Sequence, residues 1–289
     1  MALIERQGHR IKSVSTTGPG SAAEIARRCL DQDADAILVA GGDGTINEVA
    51  NGMVYSNVPL GVLPGGTANV LASEIGLGGD MLAAAKQLNA WIPERISVGV
   101  HRDGMERPRR YFLLMCGAGL DAHIVYHLSA PIKALLGKVA YWLGGFSQLS
   151  RKLPEFEMEA DGKAYRASFA LASRVRNYGG DLDIAPSITL LDDEFEIVLF
   201  AGANSLRYLG YMVGILRARL EATPGVTVVR CRSLKLSGTS DRRVYTQIDG
   251  EYAGTLPVSL EIVPRALTLL LPQTYRLRRP HPWTTSHTR

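Results

Sequence analysis

The sequence has 289 residues, of which 46% are hydrophobic and 21% are charged, as in an ordinary globular protein long enough for two domains. Its formal charge of +4 comes from the end of the chain: four arginines and no acidic residue follow Pro272, and the rest is formally neutral. This distribution argues against a basic nucleic-acid-binding surface. Three scattered cysteines, no signal-peptide pattern and no apolar run of about 18 residues predict a cytoplasmic protein without disulfides or membrane spans.

The first predicted elements are a strand over Arg10–Ser15 and a helix from Ser21 to about Leu30. Ser21 and Glu24 have the spacing of a capping box, which predicts the start of the helix. Thr16 lies between the two elements, where a strand ends. Ligands of open α/β sheets bind at such ends, although simple loop polarity also explains this threonine.

A stretch from Ala36 to Gly52 carries the strongest signal in the chain. The apolar run Ala36–Ala40 predicts a buried strand, and Gly41-Gly42-Asp43-Gly44 then predicts a tight turn before a helix. Glycines and a helix N-terminus let backbone amides approach a phosphate closely. A carboxylate in such a turn either calls for a divalent cation beside the phosphate or orients the turn.

A second unit of the same kind follows within about 40 residues. Leu60–Leu63 predicts a short strand, Pro64–Asn69 a glycine turn, and Val70 the beginning of a helix. Two consecutive units predict neighbouring parallel strands whose turns lie at one edge of the sheet. Both turns could contact one nucleotide. The Walker and dinucleotide patterns are absent from the sequence.

From about Ile96 onward, short β-rich runs separated by turn residues predict an antiparallel sandwich or barrel. Two amphipathic helices, over 132–149 and 205–220, interrupt these runs, and both have basic residues beside their apolar faces. Packing against the core is the favoured interpretation of these helices, and contact with a membrane surface is the alternative.

Two acidic clusters follow predicted strands. Asp249-Gly250-Glu251 could supply a carboxylate that takes a proton from an attacking hydroxyl. Asp192-Asp193-Glu194 could bind a hard cation with help from carbonyl oxygens. Each cluster taken alone is also a common exposed turn.

Taken together, these motifs resemble the bacterial diacylglycerol kinase family of lipid kinases, whose catalytic domain is shared with sphingosine and ceramide kinases. Four ordered blocks carry the resemblance: Gly41–Gly52, Leu63–Asn69, Asn177–Pro186 and Asp249–Glu251. The resemblance implies an α/β nucleotide-binding domain like that of phosphofructokinase and NAD kinase, followed by an antiparallel β-sandwich, with the active site between them. The corresponding boundaries are 1–95, 96–271 and a basic tail over 272–289, which either packs back on the first domain or is disordered.

The resemblance also implies a function and a set of site residues. The implied activity is transfer of the γ-phosphate of ATP, with Mg²⁺, to the hydroxyl of diacylglycerol or a similar lipid. Asp249 or Glu251 would be the general base, and Asp43 would act on the catalytic Mg²⁺. A structural Mg²⁺ would fall on Asp192, with main-chain oxygens near Thr189 and Glu194 as further ligands. ATP would be held by the remaining site residues: Thr16, Gly41, Gly42, Asp43, Gly44, Thr45, Ile46, Asn47, Gly66 and Thr67.

Two alternatives stay open, and the second is suggested by the absence, before Thr16, of a counterpart to the family's first strand and N-P-x-S-G-like phosphate loop. One is an NAD kinase-like small-molecule kinase, which shares the G-G-D-G-T turn. The other is a non-catalytic homologue that binds a nucleotide or lipid. The expected partners are a diacylglycerol-like lipid and the surface of a membrane, with no nucleic acid, and a homodimer is one option for the assembly.

Overall fold

A computed structural model describes residues 1–104, 109–119, 122, 153–178, 182–202, 211, 214, 220–239 and 242–277. These residues form two compact units. The first contains Met1–Val98 together with the segment that begins at Pro264, and the second contains Gly99–Val263. The sequence-based boundaries placed residues up to 271 in the second domain.

The first unit is built of helices and a parallel sheet. Its elements are α1 (Ala2–Glu5), α2 (Ser21–Leu30), β1 (Ile37–Gly41), α3 (Asp43–Met53), β2 (Leu60–Pro64), α4 (Val70–Glu74), α5 (Met81–Lys86), a 3-10 turn at Leu88–Ala90, the start of β3 (Trp91–Asp103), the end of β16 (Val258–Pro272) and α6 (Gln273–Arg276). Strands β1 and β2 are parallel and in register from Ile37↔Leu60 to Gly41↔Pro64. Strand β16 adds a further parallel neighbour to β2 through Leu269↔Leu60.

Helices α2 and α3 pack closely because α3 has a glycine at the contact. A Cβ on Gly52 would lie 2.4 Å from the carbonyl oxygen of Ala23. Any larger residue at position 52 would therefore push the two helices apart. This explains structurally why the glycine that ends the Ala36–Gly52 stretch is needed there.

The predictions for the first thirty residues are partly wrong. Residues 10–16 form no strand, and almost all of them are exposed. A segment with an alternating pattern forms a strand only where a neighbouring strand can pair with it, and no described strand pairs with these residues. The helix Ser21–Leu30 is present, but its N-cap is Gly20 rather than Ser21. The Ser21 hydroxyl instead donates to the carbonyl oxygen of Gly18, at 2.6 Å.

The second unit is antiparallel. Its strands are the remainder of β3 and β16 with β4 (Arg110–Phe112), β5 (Met115–Gly119), β6 (Phe156–Ala160), β7 (Lys163–Ala167), β8 (Phe169–Ser173), β9 (Asn177–Tyr178), β10 (Leu182–Asp183), β11 (Phe195–Phe200), β12 (Val226–Cys231), β13 (Ser233–Gly238), β14 (Tyr245–Ile248) and β15 (Glu251–Thr255); a 3-10 turn covers Leu220–Ala222. One six-stranded sheet has the order β12-β11-β8-β5-β14-β15. Strand β13 pairs with β16 on one side and with β6 on the other, and β6 pairs with β7.

An apolar core lies between these two layers. Phe156 and Met158 of β6 and Leu236 of β13 pack in one buried cluster with Phe195 and Ile197 of β11. Alternating residues of β6 are buried and exposed, as expected of a strand with one face on a core. The predicted arrangement, an α/β domain followed by an antiparallel sandwich, is confirmed.

Several earlier predictions concern residues outside the described part of the chain. These are the helix over 132–149, nearly all of the helix over 205–220, and the tail from residue 278 onward. Among the described residues, no helix combines the length and the apolar character that crossing a membrane requires.

Candidate active site

The two glycine turns meet at the ends of β1 and β2. The amide of Gly65 donates to the carbonyl oxygen of Gly41 over 2.9 Å. A Cβ added to Gly66 would lie 2.6 Å from the Cα of Gly42, a distance that real Cβ atoms do not show. The predicted placement of both turns at one edge of a parallel sheet is therefore correct, and glycine is required for their contact.

The start of α3 has the features of an anion site. Its N-cap is Gly42, which has an extended backbone and provides no side-chain cap. The amide of Ile46 makes the first intrahelical bond, to the carbonyl oxygen of Gly42. The preceding helical amides, of Asp43, Gly44 and Thr45, have no intrahelical acceptor in α-helical geometry. These donors and the positive end of the helix dipole favour a phosphate at this turn.

Asp43 connects the two turns. Its Oδ2 accepts a hydrogen bond from the amide of Val70 at 3.0 Å, and its Oδ1 accepts one from the amide of Leu71 at 3.1 Å. The carboxylate therefore caps α4, although it belongs to the first residue of α3. The first two amides of α4 are therefore already bonded to Asp43, whereas the first amides of α3 have no such acceptor among the described contacts.

Asn69 fixes the shape of the second turn. It has a positive φ of 48°, and only 7% of its surface is exposed. Its side chain accepts a hydrogen bond from the amide of Gly66 and donates one to the carbonyl oxygen of the same residue. Thr67 remains exposed between these two residues. The turn thus presents a threonine hydroxyl on a rigid backbone.

The other predicted nucleotide residues have different environments. Ile46 is only 2% exposed and packs in the core, so its contribution there is structural. Asn47 Oδ1 accepts a hydrogen bond from Asn51. Thr16 lies in the exposed segment before α2.

Glu48, which was not singled out as a site residue, connects this segment to α3. Its carboxylate accepts hydrogen bonds from the amides of Gly20 and Ala22.

In the second unit, Asp249 is a buried clamp. It has a positive φ of 47°, and with Gly250 it forms the two-residue turn between β14 and β15. Its Oδ2 accepts from the amide of Leu113, and its Oδ1 accepts from the amides of Leu114 and Met115, at 2.9 to 3.0 Å. These bonds lie where the chain passes from β4 to β5.

Glu251 differs from Asp249 in both exposure and contacts. Its side chain is 56% exposed, and its Oε2 lies 3.6 Å from Nη2 of Arg110. Arg110 also donates from Nη1 to the carbonyl oxygen of Tyr252 at 3.1 Å. Strand pairing places Arg110 opposite His101, which is buried. Burial and, secondly, the charge of Arg110 lower the pKa of His101 to about 4.

The loop that contains Asp192, Asp193 and Glu194 contacts two arginine side chains. Asp192 Oδ2 accepts hydrogen bonds from the amide and the hydroxyl of Thr189, both at 2.8 Å. Arg230 lies 3.5 Å from Asp192 Oδ1 and 3.6 Å from Glu194 Oε2. Arg174, which the sequence analysis did not single out, donates to carbonyl oxygens of the same loop. One feature of the sequence could have identified Arg174: it is a charged residue directly after the apolar strand Phe169–Ser173, where a charge is unusual.

The structure thus groups the predicted residues into three sets. The glycine turns, with Asp43 and Thr67, form one set in the first unit. The Asp249-Gly250-Glu251 hairpin forms a second set, and the loop containing Thr189, Asp192 and Glu194 forms a third, both in the second unit.

Two family models match the chain. The diacylglycerol kinase catalytic domain matches residues 1–101, and the YegS C-terminal NAD kinase beta sandwich-like domain matches residues 115–271. The chain therefore belongs to the bacterial diacylglycerol kinase family of lipid kinases, as its motifs indicated.

Individual relatives agree with this assignment. The chain is 29% identical over 276 residues to the diacylglycerol kinase of Bacillus subtilis, covering 93% of this chain and 88% of that protein. It is 30% identical over 261 residues to the diacylglycerol kinase of Staphylococcus saprophyticus, covering 88% and 82%. A crystal structure of a diacylglycerol kinase from Bacillus anthracis shares the fold, with a TM-score of 0.70 and 22% identity over 90% of this chain and 85% of that one.

Proposed function

We propose that this protein is an ATP-dependent lipid kinase that transfers the γ-phosphate to the hydroxyl of diacylglycerol or a similar lipid. The observation that supports this most strongly is the contact between the two glycine turns at the open N-terminus of α3. That arrangement provides backbone donors for a polyphosphate and leaves no space for a Cβ at Gly66.

In this proposal the phosphates of ATP bind at the amides of Gly44 and Thr45, and the exposed Thr67 hydroxyl adds a donor. Mg²⁺ bound with ATP would neutralise charge on the transferring phosphoryl group. Asp43 has the oxygen donors that this ion prefers, and each of its oxygens retains acceptor capacity beyond one N–H bond. Asp43 would therefore reach the ion through water while it continues to cap α4.

We assign the general base to Glu251 rather than to Asp249. Three backbone amides donate to the buried Asp249 carboxylate, which stabilises its charged form and uses most of its acceptor positions. Glu251 is exposed and begins a strand directly after a tight turn, so a lipid hydroxyl can approach it. Arg110 would orient it. Diacylglycerol lies in a bilayer, so the proposal includes peripheral contact with a membrane surface.

The test is an assay with labelled ATP, Mg²⁺ and separate acceptors: diacylglycerol, ceramide or sphingosine in mixed micelles, and NAD in solution. A labelled phospholipid should appear with at least one lipid and no labelled NADP with NAD. The Asp43→Ala variant should lose about 100-fold in rate. Labelled NADP would favour a soluble-substrate kinase instead. ATP binding without transfer to any acceptor would mean that the protein is a binding homologue.

A further inference from the structure

The loop from Leu190 to Glu194 is organised around a guanidinium group. Arg174 donates from Nη2 to the carbonyl oxygen of Leu190 at 3.0 Å. Its Nη1 donates to the carbonyl oxygens of Asp192 and Glu194 at 3.1 and 3.4 Å. Three alternate carbonyls of the loop therefore point at one positive charge.

Arg174 is completely buried, with 0% of its surface exposed, and its backbone amide bonds to the carbonyl oxygen of Leu114 at 2.8 Å. A buried arginine is always charged, carries five donors and has no acceptor. It therefore remains stable in the interior only where oxygen atoms surround it. The loop carbonyls provide acceptors for both terminal nitrogens of the guanidinium.

The carboxylates of the loop are engaged as well. Asp192 Oδ2 accepts the two hydrogen bonds of Thr189, and its Oδ1 faces Arg230. Arg230 also faces Glu194 and donates weakly, at 3.5 Å, to the carbonyl oxygen of Ser187. A second arginine thus balances the acidic side chains from outside the loop.

This is the loop to which the family resemblance assigns a structural Mg²⁺, and its residues do not fit that ion. Mg²⁺ requires near-octahedral oxygen ligands at about 2.0–2.1 Å. Here the carbonyls of Asp192 and Glu194 face a guanidinium, whose charge would repel a cation on the same oxygens.

We infer that the Arg174 guanidinium takes the structural place of a divalent cation in this protein, so that the second unit is held together without a bound metal. Any dependence of activity on Mg²⁺ then belongs to the nucleotide site alone.

Mn²⁺ binding to the nucleotide-free full chain tests this directly. Mn²⁺ substitutes for Mg²⁺ at oxygen sites, and its free and bound forms differ in the electron paramagnetic resonance spectrum. We expect wild type and Asp192→Asn to bind the same amount of Mn²⁺. The thermal midpoint of wild type should move by no more than about 1 °C between 5 mM Mg²⁺ and EDTA, since a ligand that does not bind does not stabilise. An Mn²⁺ equivalent bound by wild type and lost in Asp192→Asn would overturn the inference.

Variants of the arginine give a second readout. Arg174→Met should lower the thermal midpoint by about 10 °C, because it leaves buried carbonyls without their donor. The thermal midpoint of Arg174→Lys should lie between those of wild type and Arg174→Met, since lysine keeps the charge but loses the planar guanidinium. The control is Arg166→Met, which removes an exposed arginine paired with Glu155 and should change the midpoint by about 1 °C or less. An Arg174→Met midpoint equal to that of the control would contradict the inference. None of these readouts depends on kinase activity.

Discussion

The carboxylate of Asp43 accepts a hydrogen bond from the amide of Val70, so an acid on the first glycine turn caps the helix that follows the second turn. The same carboxylate also accepts from Leu71. The sequence left two roles open for this carboxylate, binding of a divalent cation and orientation of the turn. The structure shows the second. Its action on a metal remains a proposal.

Removal of the Asp43 carboxylate should therefore weaken the fold of the first unit as well as ATP binding. Asp43→Ala leaves the amides of Val70 and Leu71 without their acceptor, at a cost of about 1–3 kcal/mol in the free energy of unfolding. Asp43→Asn keeps one acceptor oxygen and should lose less. Urea unfolding measures both variants, and wild-type stability in Asp43→Ala would show that the cap is unimportant.

Gly66→Ala should separate the two turns, because its Cβ would collide with the Cα of Gly42. We expect the affinity for ATP to fall by about 10-fold or more, since a displacement of 1 Å spoils the alignment of several donors. Gly79→Ala is the matched control, because a Cβ there meets nothing closer than 4.0 Å. Calorimetric titration with MgATP measures the affinities, and equal values for the two variants would refute the close-contact role.

Asp249→Asn should destabilise the second unit by about 1–3 kcal/mol. An amide side chain has one acceptor oxygen in place of two, and its NH₂ group would face backbone donors of Leu113–Met115. Glu251→Gln changes an exposed side chain and should leave the free energy of unfolding within about 0.5 kcal/mol of wild type. If urea unfolding gives the opposite order, the assignment of Asp249 as a clamp is wrong.

His101 should make folding sensitive to pH. Its folded pKa of about 4 lies below the unfolded value of 6.5, so the unfolded chain binds the proton more readily between these values. The contribution of neutral His101 to the free energy of unfolding is fully present above pH 6.5. It is lost as the pH falls towards 4, by about 3 kcal/mol in total.

His101→Leu should remove most of that slope when unfolding is measured from pH 7.5 to 4.5. His9→Gln is the control, because His9 is exposed, with Asn89 as its hydrogen-bond partner. A slope that His9→Gln abolishes and His101→Leu leaves unchanged would exclude the buried histidine as its source.

Local patterns predicted much of the fold because they report local constraints. The β-rich runs after Ile96 form strands such as Phe156–Ala160, because the alternation of apolar and polar residues records which face of a strand meets the core. The turns after β1 and β2 were predictable because glycine runs directly follow apolar runs. The proposed strand Arg10–Ser15 was wrong for the complementary reason: its pattern does not reveal whether a partner strand is present.

Long-range partners were beyond the reach of sequence patterns. The amide of Leu113 and the Asp249 carboxylate that binds it are 136 residues apart, and no pattern in either segment predicts that they pair. Sequence could therefore place Asp249 and Glu251 on one turn but could not distinguish a clamp from an exposed base. The pairing of Arg174 with the loop carbonyls was hidden in the same way.

Transfer of labelled γ-phosphate from ATP to diacylglycerol in mixed micelles measures whether Glu251 is the general base of a lipid phosphotransferase. We predict that wild type forms labelled phosphatidic acid and that Glu251→Gln lowers the turnover number by about 100-fold or more with little change in ATP affinity. The control is Glu261→Gln, an exposed glutamate paired with Arg102 in the same unit, which should retain wild-type turnover. Equal turnover in Glu251→Gln and Glu261→Gln would show that Glu251 is not the general base.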